Sequence, residues 1–191
     1  MVHKDVILSV TKNPTQKKKT WKEELWEWVK SLVIAFIMAM FIRTFFFQAF
    51  KIPSSSMHPT LRIGDHLIAN KLVYRFREPE RGEIIIFRFP DNTKRDFVKR
   101  LVALPGEKVE IAGGQIYING KAVDDNRING RYYFNNEGMR ETDVPSDSYF
   151  VLGDNSANSY DSRYWGFVLH KHLLGKALFI YWPPNRWGPI K

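Results

Sequence analysis

The stretch Leu32 to Ile42 carries 11 apolar residues without interruption. No other segment limits the chain as strongly, because such a run must be hidden in a protein core or in lipid. Alone it is too short to span a bilayer. Widened to Trp28–Phe47 the window covers 20 residues, about 30 Å as a helix. Its charges, Lys30 and Arg43, stand near the two ends, where long side chains reach back to headgroups. Trp26 and Trp28 fall where an interfacial aromatic belt belongs. Lys17, Lys18, Lys19 and Lys22 precede the run, the bias of a cytoplasmic flank. A cleaved leader needs small residues just after its apolar core. Here that region reads Thr44-Phe45-Phe46-Phe47-Gln48-Ala49. The pattern predicts a basic cytoplasmic tail over residues 1–25, an uncleaved single-pass anchor over 26–48, and an extracytoplasmic domain over 49–191.

That domain reads as strands. "HLIANK" (66–71), "EIIIFRF" (83–89), "FVKRLVAL" (97–104), "SYFVLGD" (148–154) and "GKALFIYW" (175–182) are short and rich in β-branched and aromatic residues. "QIYINGKAV" (115–123) is a hairpin signal, with Asn119-Gly120 as a type I′ turn. The anchor is the one helix expected, besides a single turn near His170–Leu173. Residues 124–147 are polar and read as loop, part of a small excursion over about 107–147. The fold class predicted is mainly β: one N-terminal transmembrane helix followed by a mostly antiparallel sheet domain.

Chemistry is narrowed by elimination. The chain has no cysteine, so thiolate metal sites and disulfides are excluded. His3, His58, His66, His170 and His172 form no H-E-x-x-H pair. Asp154, Ser156 and Asn158 imitate the start of a calcium loop, but Ser159 and Trp165 stand where Gly and Glu are needed. No phosphate-cradling Gly-Lys loop is present. A hydroxyl nucleophile is the simplest chemistry left, and "IPSSSMHPTL" (52–61) offers three serines fenced by prolines. Its base is either His58, two residues from Ser56, or a lysine held neutral by apolar burial, for which Lys99 in "FVKRLVAL" is the candidate. Spacing alone favours a plainer role for Lys99 and Arg100, with one of the pair facing water. The excess of 29 Lys+Arg over 20 Asp+Glu, +9, suits anionic lipid or nucleic acid.

Five segments occur in order after the anchor: "PSSSMHPTL", "GDHLIANK", "RGEIIIFRFP", "VKRLVALPGEKVEI" and "GDNSANSYDSRYWGFV". Together they resemble the boxes of bacterial type I signal peptidases, over most of residues 43–182. The resemblance implies a membrane-bound serine endopeptidase that removes N-terminal signal peptides from exported preproteins, cutting after small residues. It implies Ser56 as nucleophile and Lys99 as general base, which demotes His58 to a variable position. Ser54 would join the Ser56 N–H as oxyanion donor, and Ser159 would orient the lysine amine. Asp161 and Arg163 would form a supporting ion pair, while Ser55 receives no role. Pocket walls would match Phe50, Ile52, Met57, Leu61, Ile86, Phe97 and Val98. Ser156 and Ala157 depart from the commoner Arg-Asp of the last box and are expected to be peripheral.

The resemblance requires no cofactor or metal. The expected partners are signal peptides and membrane lipid, not nucleic acid, and the chain is expected to be monomeric. The expected location is the cell membrane, or a thylakoid membrane where one exists. Two other classes stand beside this reading, a self-cleaving repressor and a non-catalytic basic β module. The anchor argues against the first, and labelling of Ser56 by an acyl probe separates the second.

Overall fold

The structure, a computed structural model, describes residues 20–135 and 141–190. The Lys17–Lys19 cluster, His3 and Gly138 lie outside those residues. By its internal contacts the chain forms two compact units, residues 1–40 and 41–191.

Helix α1 spans Trp21–Phe45, 25 residues. A capping box starts it: Thr20 N–H donates to Glu23 Oε2 at 2.8 Å, and Glu23 N–H to Thr20 Oγ1 at 3.4 Å. Glu23 and Glu24 occupy its first turn and Arg43 its last, each opposite in sign to the dipole end it faces. Among the described residues α1 is the one helix long and apolar enough to cross a membrane, and none of its residues is buried. It starts earlier and stops sooner than the expected 26–48. Phe47 and Gln48 already belong to strand β1 (Phe47–Lys51), because a run of phenylalanines suits a strand as well as lipid. Lys71 Nζ donates to Thr44 O at 3.1 Å and Lys71 N–H to Phe46 O at 3.0 Å, so carbonyls at the helix end find partners.

The larger sheet has eight strands. In chain order these are β1, β2 (His66–Asn70), β3 (Ile84–Phe89), β4 (Asn92–Ala103) and, after the small sheet, β9 (Ser148–Leu152), β10 (Val168–Leu169), β11 (Leu173–Trp182) and β12 (Gly188–Pro189). Their spatial order is β1-β2-β11-β3-β4-β9-β10, with β12 on β11, and every pairing is antiparallel. The smaller sheet runs β7 (Lys121–Ala122), β6 (Gln115–Ile118), β5 (Lys108–Ala112), β8 (Thr142–Asp143). Its β6–β7 turn has positive φ at Asn119 (51°) and Gly120 (74°), the geometry a type I′ turn requires. The excursion expected over 107–147 is this sheet, so the polar stretch after Asp124 returns to a strand at Thr142.

Two one-turn helices were not expected, α2 (Val73–Phe76) and α3 (Ser162–Trp165). Asp161 caps α3 by accepting from Arg163 N–H at 3.3 Å. The turn expected near His170–Leu173 is a 3₁₀ turn over His170–His172. Three apolar clusters hold the sheets. One joins the small sheet to β4 and β9 through Val109, Ile111, Ile116, Phe150 and Leu152. A second, with Ile52, Met57, Leu61, Leu67 and Ile86, lies beneath the serine turn.

Candidate active site

The serines sit on a turn anchored by its apolar residues. Ile52, Met57 and Leu61 are buried, while Ser54 faces solvent and Ser56 is half-buried. His58 N–H donates to Ser55 O at 3.0 Å and Leu61 N–H to Met57 O at 2.8 Å. Behind the turn, Asp65 accepts from Arg62 N–H at 2.8 Å and from Arg186 Nε at 2.9 Å, while Arg186 Nη2 reaches Thr60 O at 2.9 Å. The C-terminal end of the turn is therefore held by Asp65 and Arg186, which removes conformational freedom before any ligand arrives.

Lys99 lies on β4 opposite Ile85. It is 3% exposed, and its Nζ donates to Ser56 Oγ at 2.7 Å. Burial in apolar surroundings lowers the ammonium pKa from 10.5 to about 8; Asp161 and Asp154 oppose this from a distance, and Arg163 adds to it. The Phe97 ring centre lies 5.9 Å from Nζ. Ser54 Oγ is 3.3 Å from Ser56 Oγ. The exposed His58 side chain makes no hydrogen bond to Ser56 among the described residues.

Ser159 lines the same cavity, but its buried Oγ has no hydrogen-bond partner among the described residues, so it makes no hydrogen bond to the Lys99 amine. Asp161 and Arg163 do pair, at 2.8 Å, with both side chains buried. Arg100, the neighbour of Lys99, does not face water: it is 1% exposed and grips Asp154 with two bonds of 2.7 Å. Thr60 donates to Asp154, and Arg131 Nη2 approaches it at 3.3 Å and Thr60 Oγ1 at 3.1 Å. Asp154, which resembled a calcium ligand in spacing, is thus occupied by two arginines and a hydroxyl.

Ser156 is not peripheral. Its buried hydroxyl accepts from Phe134 N–H at 2.9 Å and from Arg163 Nη1 at 2.8 Å, and Arg163 Nη1 also reaches Phe134 O at 2.8 Å. Gly153 passes so close to the serine turn that a Cβ there would stand 2.2 Å from Ser159 Oγ and 2.5 Å from Ser56 O. Sequence reasoning missed Thr60, Arg100, Arg131 and Gly153. The available signal was the placing of Arg100 and Asp154 inside apolar strand patterns, where a charge must be paired to be tolerated.

A cavity of about 940 Å³ opens over Ser56 and Lys99. Phe50, Ile52, Met57, Phe97 and Val98 line it, together with Phe89, Tyr160 and Tyr164. Leu61 and Ile86 do not line it. Both are fully buried in the cluster below, because their strand and turn positions point inward. An amine whose burial brings its neutral form within reach, beside a hydroxyl at the floor of an apolar groove, has the parts needed to activate a nucleophile.

The family model described as signal peptidase, peptidase S26, matches residues 25–182. A probable signal peptidase I-2 of Synechocystis sp. is 45% identical, covering 94% of this chain and 84% of that protein. Signal peptidase I of Leptolyngbya laminosa is 41% identical, covering 87% and 84%. Signal peptidase I T of Bacillus subtilis is 37% identical, covering 93% and 94%. Fold and kinship together make the chain a hydrolase, a peptidase built on antiparallel sheets. It belongs to the signal peptidase family, peptidase S26.

Proposed function

We propose that the chain is a membrane-bound endopeptidase that removes N-terminal signal peptides from exported preproteins, by a Ser56/Lys99 dyad and an acyl-enzyme. The observation carrying this reading is the 2.7 Å contact between the Ser56 hydroxyl and a lysine amine that is 3% exposed and has a pKa lowered to about 8. A lysine in water is almost wholly protonated at pH 7 and useless as a base. Here burial makes the neutral form accessible.

In the mechanism, neutral Lys99 takes the proton of Ser56 as Oγ attacks the scissile carbonyl. The Ser54 hydroxyl and the Ser56 N–H stabilise the oxyanion. Protonated Lys99 then gives its proton to the leaving amine, freeing the mature chain. Water activated by the same lysine hydrolyses the ester and releases the signal peptide. The unpartnered Ser159 hydroxyl is available to orient the amine once a substrate excludes water. Asp161 and Arg163 support that loop. The substrate binds extended, as an added strand, with small residues at the first and third positions before the cut facing the apolar walls.

Helix α1 would hold the enzyme in the same bilayer as its substrate, with the basic N-terminus in the cytoplasm and the sheets across the membrane. Two experiments test the reading. The purified full-length protein in detergent is given a preprotein with alanine before the cut, and the products are identified by mass. Cleavage at that bond, absent in Ser56→Ala, supports the proposal; equal cleavage by both proteins refutes it. External protease on spheroplasts should digest the sheets and spare the N-terminus; protected sheets would invert the topology.

A further inference from the structure

The two asparagines of the segment Asp154–Ser159 both contact the serine turn, at Ser55 and Ser56. Asn155 Nδ2 donates to Ser55 O at 3.2 Å, and Asn155 N–H donates to Ser56 O at 3.0 Å. Asn158 Nδ2 donates to Ser55 Oγ at 2.8 Å. The 3₁₀ turn Ser156–Asn158 spaces the two asparagines, closed by Asn158 N–H on Asn155 O at 2.9 Å. The Ser55 carbonyl and the Ser56 N–H belong to a single peptide unit. That unit is planar and, when trans, its C=O and N–H point in opposite directions. Holding the carbonyl oxygen therefore sets the direction of the N–H.

We infer that Asn155, assisted by the Asn158–Ser55 side-chain bond, is a positioning residue that aims the Ser56 N–H at the developing oxyanion. The inference rests on the proposed role of Ser56. It gives the Ser55 hydroxyl, which the family pattern leaves without a task, a function particular to this chain: it is the handle by which Asn158 holds the peptide. The clamp's bonds go to Ser55 and Ser56 and none goes to Lys99, so it controls charge stabilisation and leaves the base alone. A donor aimed at charge that appears only in the transition state affects kcat and spares ground-state binding.

The test uses the full-length protein in detergent with a model preprotein. Asn155→Asp keeps the shape and removes the side-chain donor. Loss of a whole oxyanion donor costs about 10²–10³ in kcat, so misaiming one should cost about 10–100-fold. KM should stay within about threefold and the acidic limb of the pH–rate profile should not move, because Lys99 is untouched. Ser55→Ala should lose less, about 3–10-fold by the same scale, and Ser55→Thr should restore most of it. Asn155→Asp with parent kcat overturns the inference. So does a loss that appears in KM, or that equals the lost fraction of folded protein measured by circular dichroism. Asn155→Ala guards against an effect of the new carboxylate itself: an acidic limb that shifts in Asn155→Asp alone, with parent kcat in Asn155→Ala, also overturns it. Full activity in Ser56→Ala would instead sink the underlying dyad, and is read separately.

Discussion

Lys99 and Arg100 are neighbours on β4, both buried, and they live under opposite rules. Arg100 has a bidentate carboxylate, and behind it Asp161 has Arg163, so the charges of this floor are matched. Lys99 has a hydroxyl at 2.7 Å, and among the described residues no carboxylate pairs with its amine. A matched pair keeps both partners ionised in the interior. An amine offered only a hydroxyl and aromatic carbon drifts toward its neutral form. One strand thus holds a structural cation and a candidate base side by side, told apart by whether a carboxylate was supplied.

The contrast is broken most severely at the dyad. Ser56→Ala and Lys99→Met should each reduce preprotein cleavage by about 10⁴–10⁶-fold, as loss of a nucleophile or its base does elsewhere. Cleavage by purified, folded variants checks this, and near-parent activity in Lys99→Met would remove the lysine from the chemistry. On the paired side the loss is in stability. Asp154→Ala strands buried Arg100 and deprives Arg131 and Thr60 of their acceptor, and should cost about 3–5 kcal/mol in urea unfolding.

Lys99→Met should do the reverse. Folding lowers the Lys99 pKa from 10.5 to about 8. The unfolded chain therefore holds the extra proton between those values, stability rises as pH climbs through that window, and the penalty is fully present below about pH 8. Removing the amine should stabilise the protein at pH 7, by up to about 3 kcal/mol. It should also abolish the rise between pH 8 and 10.5 in the urea midpoint. A destabilised Lys99→Met with an unchanged pH profile would contradict the account.

A finer effect is kinetic. The pH–rate profile should fall on the acid side of about pH 8, where the amine gains its proton. Phe97→Asp places a carboxylate beside the amine and should move that limb upward by about one unit. A limb that stays in place in the folded variant would point to another titrating group. His58→Ala should be the mildest change, within about twofold in rate, because that side chain is exposed.

Much of this was legible from residue order. β-branched runs and Asn119-Gly120 announced the strands and hairpin, since period and turn chemistry are local properties. Ser56 and Lys99 were legible only through their boxes: 43 positions separate them, and no local rule joins them. The end of α1 was misjudged because Phe45, Phe46 and Phe47 suit lipid and strand equally. Leu61 and Ile86 looked like pocket walls because apolar identity does not reveal which way a side chain points. Ser156 looked peripheral because a serine replacing an arginine suggests lost function, whereas burial turned its small hydroxyl into a junction for Phe134 and Arg163.

That junction bears on how separable the molecule is. Arg131 and Phe134 leave the small sheet and bind Thr60, Asp154, Ser156 and Arg163, all within the polar layer under the serine turn. The small sheet is therefore not a removable module. In native-state hydrogen exchange the amides of β5 and β6 should open together with those of β9, as one cooperative unit. A minimal enzyme made by trimming residues 107–147 would lose the seam that keeps its own centre in register.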